Sequence, residues 1–205
     1  MTSPHRTIRI FISSPGDVAA ERDKARRVID DLQRHYSGAI LQPVLWEDLA
    51  LTATASFQES IDFLVHRQPI DMAVFILWSR LGTPLGPATT RPNGTPYRSG
   101  TEREFDLMLA AFEQSGKKRP VILAYDRNDD DGFQQSLAAV PAAQWEELIT
   151  QRKLARSFVR EQFYDEEGRN LRAVHSYREP VGFAQRLHAH LRQVVEELLG
   201  ETAPR

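Results

Sequence analysis

The chain has no cysteine. Disulfides, thiolate metal sites and a cysteine nucleophile are therefore excluded, and the composition is compatible with a reducing, cytoplasmic setting. Long hydrophobic runs are also missing. The longest, Met72 to Trp78, falls far short of the roughly 20 residues that cross a bilayer, so it suits a buried strand and no membrane contact is expected. Met1 to Arg6 is polar and carries no apolar core of a secretory signal. Charge of one sign is lacking as well: 26 Lys and Arg stand interspersed against 28 Asp and Glu, for a net charge of -2. Such a balance does not suit a surface that neutralises a phosphate backbone, and no nucleic-acid contact is expected.

Several chemistry-bearing motifs are absent. There is no GxGxxG and no GxxxxGK[ST] to cradle a phosphate. No GxSxG elbow supports a Ser-His-Asp site, and no HExxH supports a zinc site. His188 and His190 are two apart and point to different sides of a helix, so they do not chelate together. No metal and no resident cofactor are expected.

What is present is a strict alternation of short elements within 205 residues, long enough for one domain with a large core. "TIRIFIS", Thr7 to Ser13, reads as a strand that ends at the turn Ser14-Pro15-Gly16. Ala25, Val28, Ile29, Leu32 and Tyr36 follow at helical spacing. "AILQPVLW", Ala39 to Trp46, reads as a second strand, and Pro43 places it at an edge or bulge. Phe57, Ile61, Leu64 and Val65 mark a helix over 52–66. "IDMAVFILW", Ile70 to Trp78, is apolar throughout, as in a strand covered on both faces of a parallel sheet. A Gly- and Pro-rich loop from Ser79 to Arg98 leads into a helix over 101–114, and "RPVILAY", Arg119 to Tyr125, reads as a further strand. The pattern predicts an α/β domain with a mostly parallel sheet and helices on both faces. Beyond a core of about residues 7–125, the expectation is a helical insert over 131–165, then a last strand (169–177) and a last helix (181–199). "ETAPR" is a polar tail, fit to begin a linker.

Open parallel sheets bind ligands at the carboxyl ends of their strands, where the strand order switches. Three places satisfy that rule. Ser13, Ser14 and Asp17 follow the first strand, Trp78, Ser79 and Arg80 follow the third, and Glu102 and Glu104 open the helix after the long loop. Asp17 either caps the following helix or borders the pocket. Trp46, at the end of the second strand, either packs in the core or stacks on a base. Arg80 either meets a phosphate or pairs with Asp17 or Glu104. Thr101-x-x-Glu104 fits a capping box, in which the Glu returns to the cap residue's N–H. The same carboxylate at a strand's carboxyl end can instead stabilise an oxocarbenium-like sugar cation or bond sugar hydroxyls. Glu102 lies two residues away on a different side of the helix.

"FISSPGDVAAER", "FQESI", "IDMAVFILWSRLGTPL", "SGTEREF" and "PVILAY", in that order, resemble a TIR-like family of the TIR/SEFIR superfamily, typical as N-terminal effectors of STAND-type NTPases. The resemblance spans about residues 7–125. It implies a flavodoxin-like sheet of five parallel strands and cleavage of NAD⁺, as substrate rather than cofactor, at the nicotinamide–ribose bond. Such enzymes use a glutamate on the helix after the third strand, which here is Glu104, followed by an apolar residue as Phe105 follows it. Nucleoside deoxyribosyltransferases are similar in a GTxxE pattern that Gly100 to Glu104 matches. The resemblance further implies a prokaryotic immune effector in the cytoplasm that is activated by self-association, with a STAND NTPase or sensor module downstream. Where many TIR enzymes carry SYxxxD after the first strand, this chain has Ser13-Ser14-Pro15-Gly16-Asp17, and Phe11, Trp46 and Trp78 are the aromatics left to line a pocket. Two other readings remain: a non-catalytic TIR-like self-association module, and a nucleoside or nucleotide N-glycosidase.

Overall fold

β1 (Arg6–Ser13) shows how residue alternation builds the molecule. Ile8, Ile10 and Ile12 enter one core cluster, while Phe11 enters another on the opposite side, as the two-residue period of a strand requires. The computed structural model describes residues 6–45 and 69–200. Trp46 and the helix expected over 52–66 lie outside these residues. After β1 come a 3-10 turn (Gly16–Val18), α1 (Ala19–Gln33), β2 (Ala39–Val44) and β3 (Met72–Leu77). The long loop leads to α2 (Gly100–Gln114), β4 (Val121–Arg127), α3 (Asp130–Ala138), α4 (Trp145–Phe163), β5 (His175–Tyr177) and α5 (Pro180–Gly200).

The five strands form one parallel sheet in the order β2-β1-β3-β4-β5. This is the doubly wound order of flavodoxin-like folds. All six residues of central β3 are buried, which explains its unbroken apolar run. Pro43, opposite Ile10, sits on edge strand β2, where a residue without an N–H is tolerated.

The sheet separates two cores. On one side, Val28, Ile29 and Leu32 of α1 pack with Leu187, Leu191 and Val195 of α5 and with the isoleucines of β1. On the other, Phe105 and Met108 of α2 join Phe158 and Phe163 of α4 over Phe11 and Phe75. Burial of each large side chain contributes about 1.5–3 kcal/mol.

The helices within 131–165 form the β4-to-β5 connection, and α4 covers the sheet beside α2. The nine-residue last strand shrinks to β5, since only His175–Tyr177 reach partners on β4. Upstream, Leu171 is 57% exposed, and its N–H bonds to the Phe163 carbonyl in the turn that leaves α4. Among the described residues, alternation there has no neighbouring strand to answer it. Among the described residues, no helix is long and apolar enough to cross a membrane.

Candidate functional site

The order of connections reverses between β1 and β3, so the crevice favoured for ligands lies at their carboxyl ends. Glu104 stands at this place. Its neighbour Phe105 is fixed by edge-to-face contacts with Phe75 (5.0 Å), Phe158 (5.5 Å) and Phe163 (5.5 Å). These contacts set the rotation of α2. Glu104, about 100° further round the helix, then meets the end of β1. Ser13 Oγ donates to Glu104 Oε2 at 2.5 Å. Both residues are buried. Burial raises the Glu104 carboxyl to about 7; the Ser13 bond and the Arg103 charge oppose this only in part.

Glu104 does not close a capping box. The N-cap of α2 is Ser99, whose Oγ accepts from the Glu102 N–H at 3.2 Å and donates to the Leu81 carbonyl at 2.8 Å. Glu102 is therefore the third residue of the first turn, and its Oε2 accepts from the Arg98 N–H at 2.7 Å. Its carboxylate also pairs with Arg98 (2.6 Å) and Arg91 (2.8 Å). Burial pushes Glu102 up, but the bonds from Arg98 and the Arg91 charge outweigh it and hold the carboxyl below its ordinary value. These partners take Glu102 up in holding the long loop. Arg91 reaches Asp106 as well and lies over the Tyr97 ring at 4.5 Å, so the loop is stitched to α2 along its return.

Asp17 does not cap a helix either. No side-chain cap bond occurs at the 3-10 turn or at α1. Asp17 Oδ2 instead accepts from Ser79 N (2.8 Å), Ser79 Oγ (2.9 Å) and Arg80 N (3.0 Å), tying the β1 turn to the end of β3. Burial raises the Asp17 carboxyl, against the lowering bonds from Ser79 and Arg80. Arg80 meets Asp17 only through its backbone; its guanidinium pairs with Glu147 of α4 at 2.8 Å. Ser14 faces α1, where its Oγ accepts from Arg22 Nε at 2.8 Å. The Trp78 indole donates to the Asp129 carbonyl at 3.4 Å and lies under the Arg127 guanidinium, 4.0 Å from the ring centre.

Asp17, Trp78, Ser79 and Arg80 line one open cleft of about 670 Å³, completed by Gly82 to Pro84 and by Ser136 of α3 and Leu148 of α4. Glu104 is not among the residues that line it. Ser13 and Glu104 lie on the α2 side of the same sheet end, and Gly82 joins the two groups. Its φ is +106°, and a Cβ there would stand 2.7 Å from Thr101 Oγ1, so only glycine lets the cleft wall approach α2 so closely.

Glu21 and Arg22 were not anticipated as site residues. Both are buried on α1. Glu21 Oε1 accepts from Arg127 (3.2 Å) and from the Tyr177 hydroxyl (3.2 Å), while Arg22 also donates to the Pro15 carbonyl (2.9 Å). The signal was available: Glu21 and Arg22 fall on the stripe defined by Val18, Ala25, Val28 and Leu32, where a solvated charge has no place. Among the described residues, no group of three His, Asp or Glu side chains could hold a metal ion. No family model matches the chain, and neither a curated protein nor a solved structure matches it.

Proposed function

We propose that this chain is a TIR-like effector domain that hydrolyses NAD⁺ at the nicotinamide–ribose bond. The observation that carries the proposal is Glu104: a buried carboxylate at the switch point, bonded to a serine and raised toward neutrality. A buried carboxylate that Ser13 and the Arg103 charge compensate only in part is costly to the fold and useful to a reaction that develops positive charge. As the C–N bond breaks, its electron pair goes to the pyridinium nitrogen and nicotinamide leaves neutral, so no strong general acid is needed. Ionised Glu104 stabilises the ribosyl cation. Water adds at the anomeric carbon, and Glu104 takes up the proton that water loses. The products are nicotinamide, ADP-ribose and a proton. The pyridinium charge of the substrate itself favours the ionised carboxylate.

The same proposal places the domain in the cytoplasm, in prokaryotic immune defence, activated by self-association and followed by a STAND NTPase or sensor module. A second reading, a non-catalytic self-association module, is favoured by one observation: Glu104 does not line the 670 Å³ cleft. Chromatography of NAD⁺ after incubation with concentrated protein separates the two. Catalysis requires nicotinamide release that Glu104→Ala abolishes; the non-catalytic module releases none, even when a crowding agent forces assembly.

A further inference from the structure

The donors on the cleft floor are arranged as an anion site, yet the protein fills that site itself. Two successive backbone N–H groups, of Ser79 and Arg80, converge with the Ser79 hydroxyl on a single point. Successive N–H groups at the end of a parallel strand make the kind of concavity that holds phosphate oxygens. Here the point is occupied by Asp17 Oδ2. The remaining oxygen, Oδ1, is buried and has no hydrogen-bond partner among the described residues. Arg80 is the only cation among the lining residues, and Glu147 already pairs with it. The floor thus presents a carboxylate where its donors alone would present positive potential.

We propose that Asp17 is a specificity-determining residue that excludes anionic groups from the cleft floor, so that the floor accepts a neutral or cationic ring and rejects phosphate or an aromatic carboxylate. With the cleft taken as part of the substrate site proposed above, the preferred end of the substrate is the pyridinium carboxamide, and the nicotinate analogue of the dinucleotide is refused. An added carboxylate beside Asp17 suffers like-charge repulsion in a partly desolvated site, where screening is weak. The dinucleotide's phosphates lie elsewhere.

The test has a binding arm and a kinetic arm. In the binding arm, melting temperature is followed with about 10 mM inorganic phosphate at fixed ionic strength, with sodium chloride as the control. The parent is expected to show no specific rise. Asp17→Ala empties the three-donor site and is expected to gain a rise of a few degrees. Asp17→Asn keeps the shape, removes the charge and is expected to gain a smaller one; it carries the arm if the alanine variant does not fold. A parent already stabilised by phosphate, or folded variants that gain nothing, would overturn the assignment. In the kinetic arm, the parent cleaves NAD⁺ in preference to its nicotinate analogue, and Asp17→Asn narrows the kcat/KM ratio at least about tenfold. An unchanged ratio overturns the role in specificity. If no variant or parent cleaves NAD⁺, the hydrolase reading fails, while the phosphate result still decides what Asp17 does.

Discussion

Glu102 and Glu104 sit two residues apart on one helix, both almost wholly buried, and the fold treats them in opposite ways. Glu102 is met by two arginines and a backbone N–H, and its carboxyl is held low. Among the described residues, Glu104 is met by a serine hydroxyl and by the Arg103 charge, which fall short of its burial, and its carboxyl is pushed up to about 7. The first arrangement is what a fold does with a charge it uses for stability. The second leaves a charge expensive, and such groups concentrate where chemistry is done. The difference comes from the direction each side chain takes: Glu102 faces the returning loop with its arginines, and Glu104 faces the sheet's carboxyl edge.

Substitution should separate the two carboxylates cleanly. The largest effect expected is on activity: Glu104→Gln should cut nicotinamide release at least about a hundredfold without loss of fold. Circular dichroism and chromatography of the same sample check both halves. Next, Glu102→Ala should destabilise the fold by roughly 3 kcal/mol, because it leaves Arg91 and Arg98 without their shared, fully buried partner. Denaturant unfolding measures it, and Glu102→Gln should cost less.

A pH series sharpens the contrast. The folded-state pKa of Glu104 lies above its unfolded value of about 4.5. Its stabilising contribution is therefore complete below pH 4.5 and is lost as pH rises through about 7. Parent and Glu104→Gln should diverge over that window, the glutamine variant ending more stable at pH 8 by at most about 3 kcal/mol. Melting temperatures at pH 5 and pH 8 give the comparison, and a glutamine variant less stable at pH 8 would deny that Glu104 is strained. A smaller effect is expected from Gly82→Ala, about 1–2 kcal/mol from the positive φ and the close approach to Thr101. The smallest is Ser13→Ala, which removes a bond that favours the ionised carboxylate and should move the midpoint of the activity–pH curve upward.

Much of the fold was legible because it follows from periodicity. The apolar run of β3, the proline on edge strand β2 and the amphipathic stripes of α1, α2 and α5 all express which side of an element is buried. The site was less legible, because its contacts join residues far apart in the chain. "SGTEREF" reads from the sequence as the cap pattern Thr101-x-x-Glu104, whereas the N-cap lies two residues earlier, at Ser99. Ser99 wins because its hydroxyl also reaches the Leu81 carbonyl across the loop. Asp17 looked like a cap for the same reason, and its true partners lie 62 and 63 residues away. Glu21 and Arg22 were readable as charges on an apolar stripe, although Arg127 and Tyr177, the partners of Glu21, were not.

The measurement that bears most directly on the account is the pH dependence of nicotinamide release from NAD⁺, parent beside Glu104→Gln, at protein concentrations that favour self-association. A catalytic Glu104 requires release that rises as pH passes through about 7, where Glu104 ionises, and that the glutamine variant abolishes at every pH. Release that persists in the glutamine variant with an unchanged pH profile would contradict it, as would the absence of release from a folded, assembled parent.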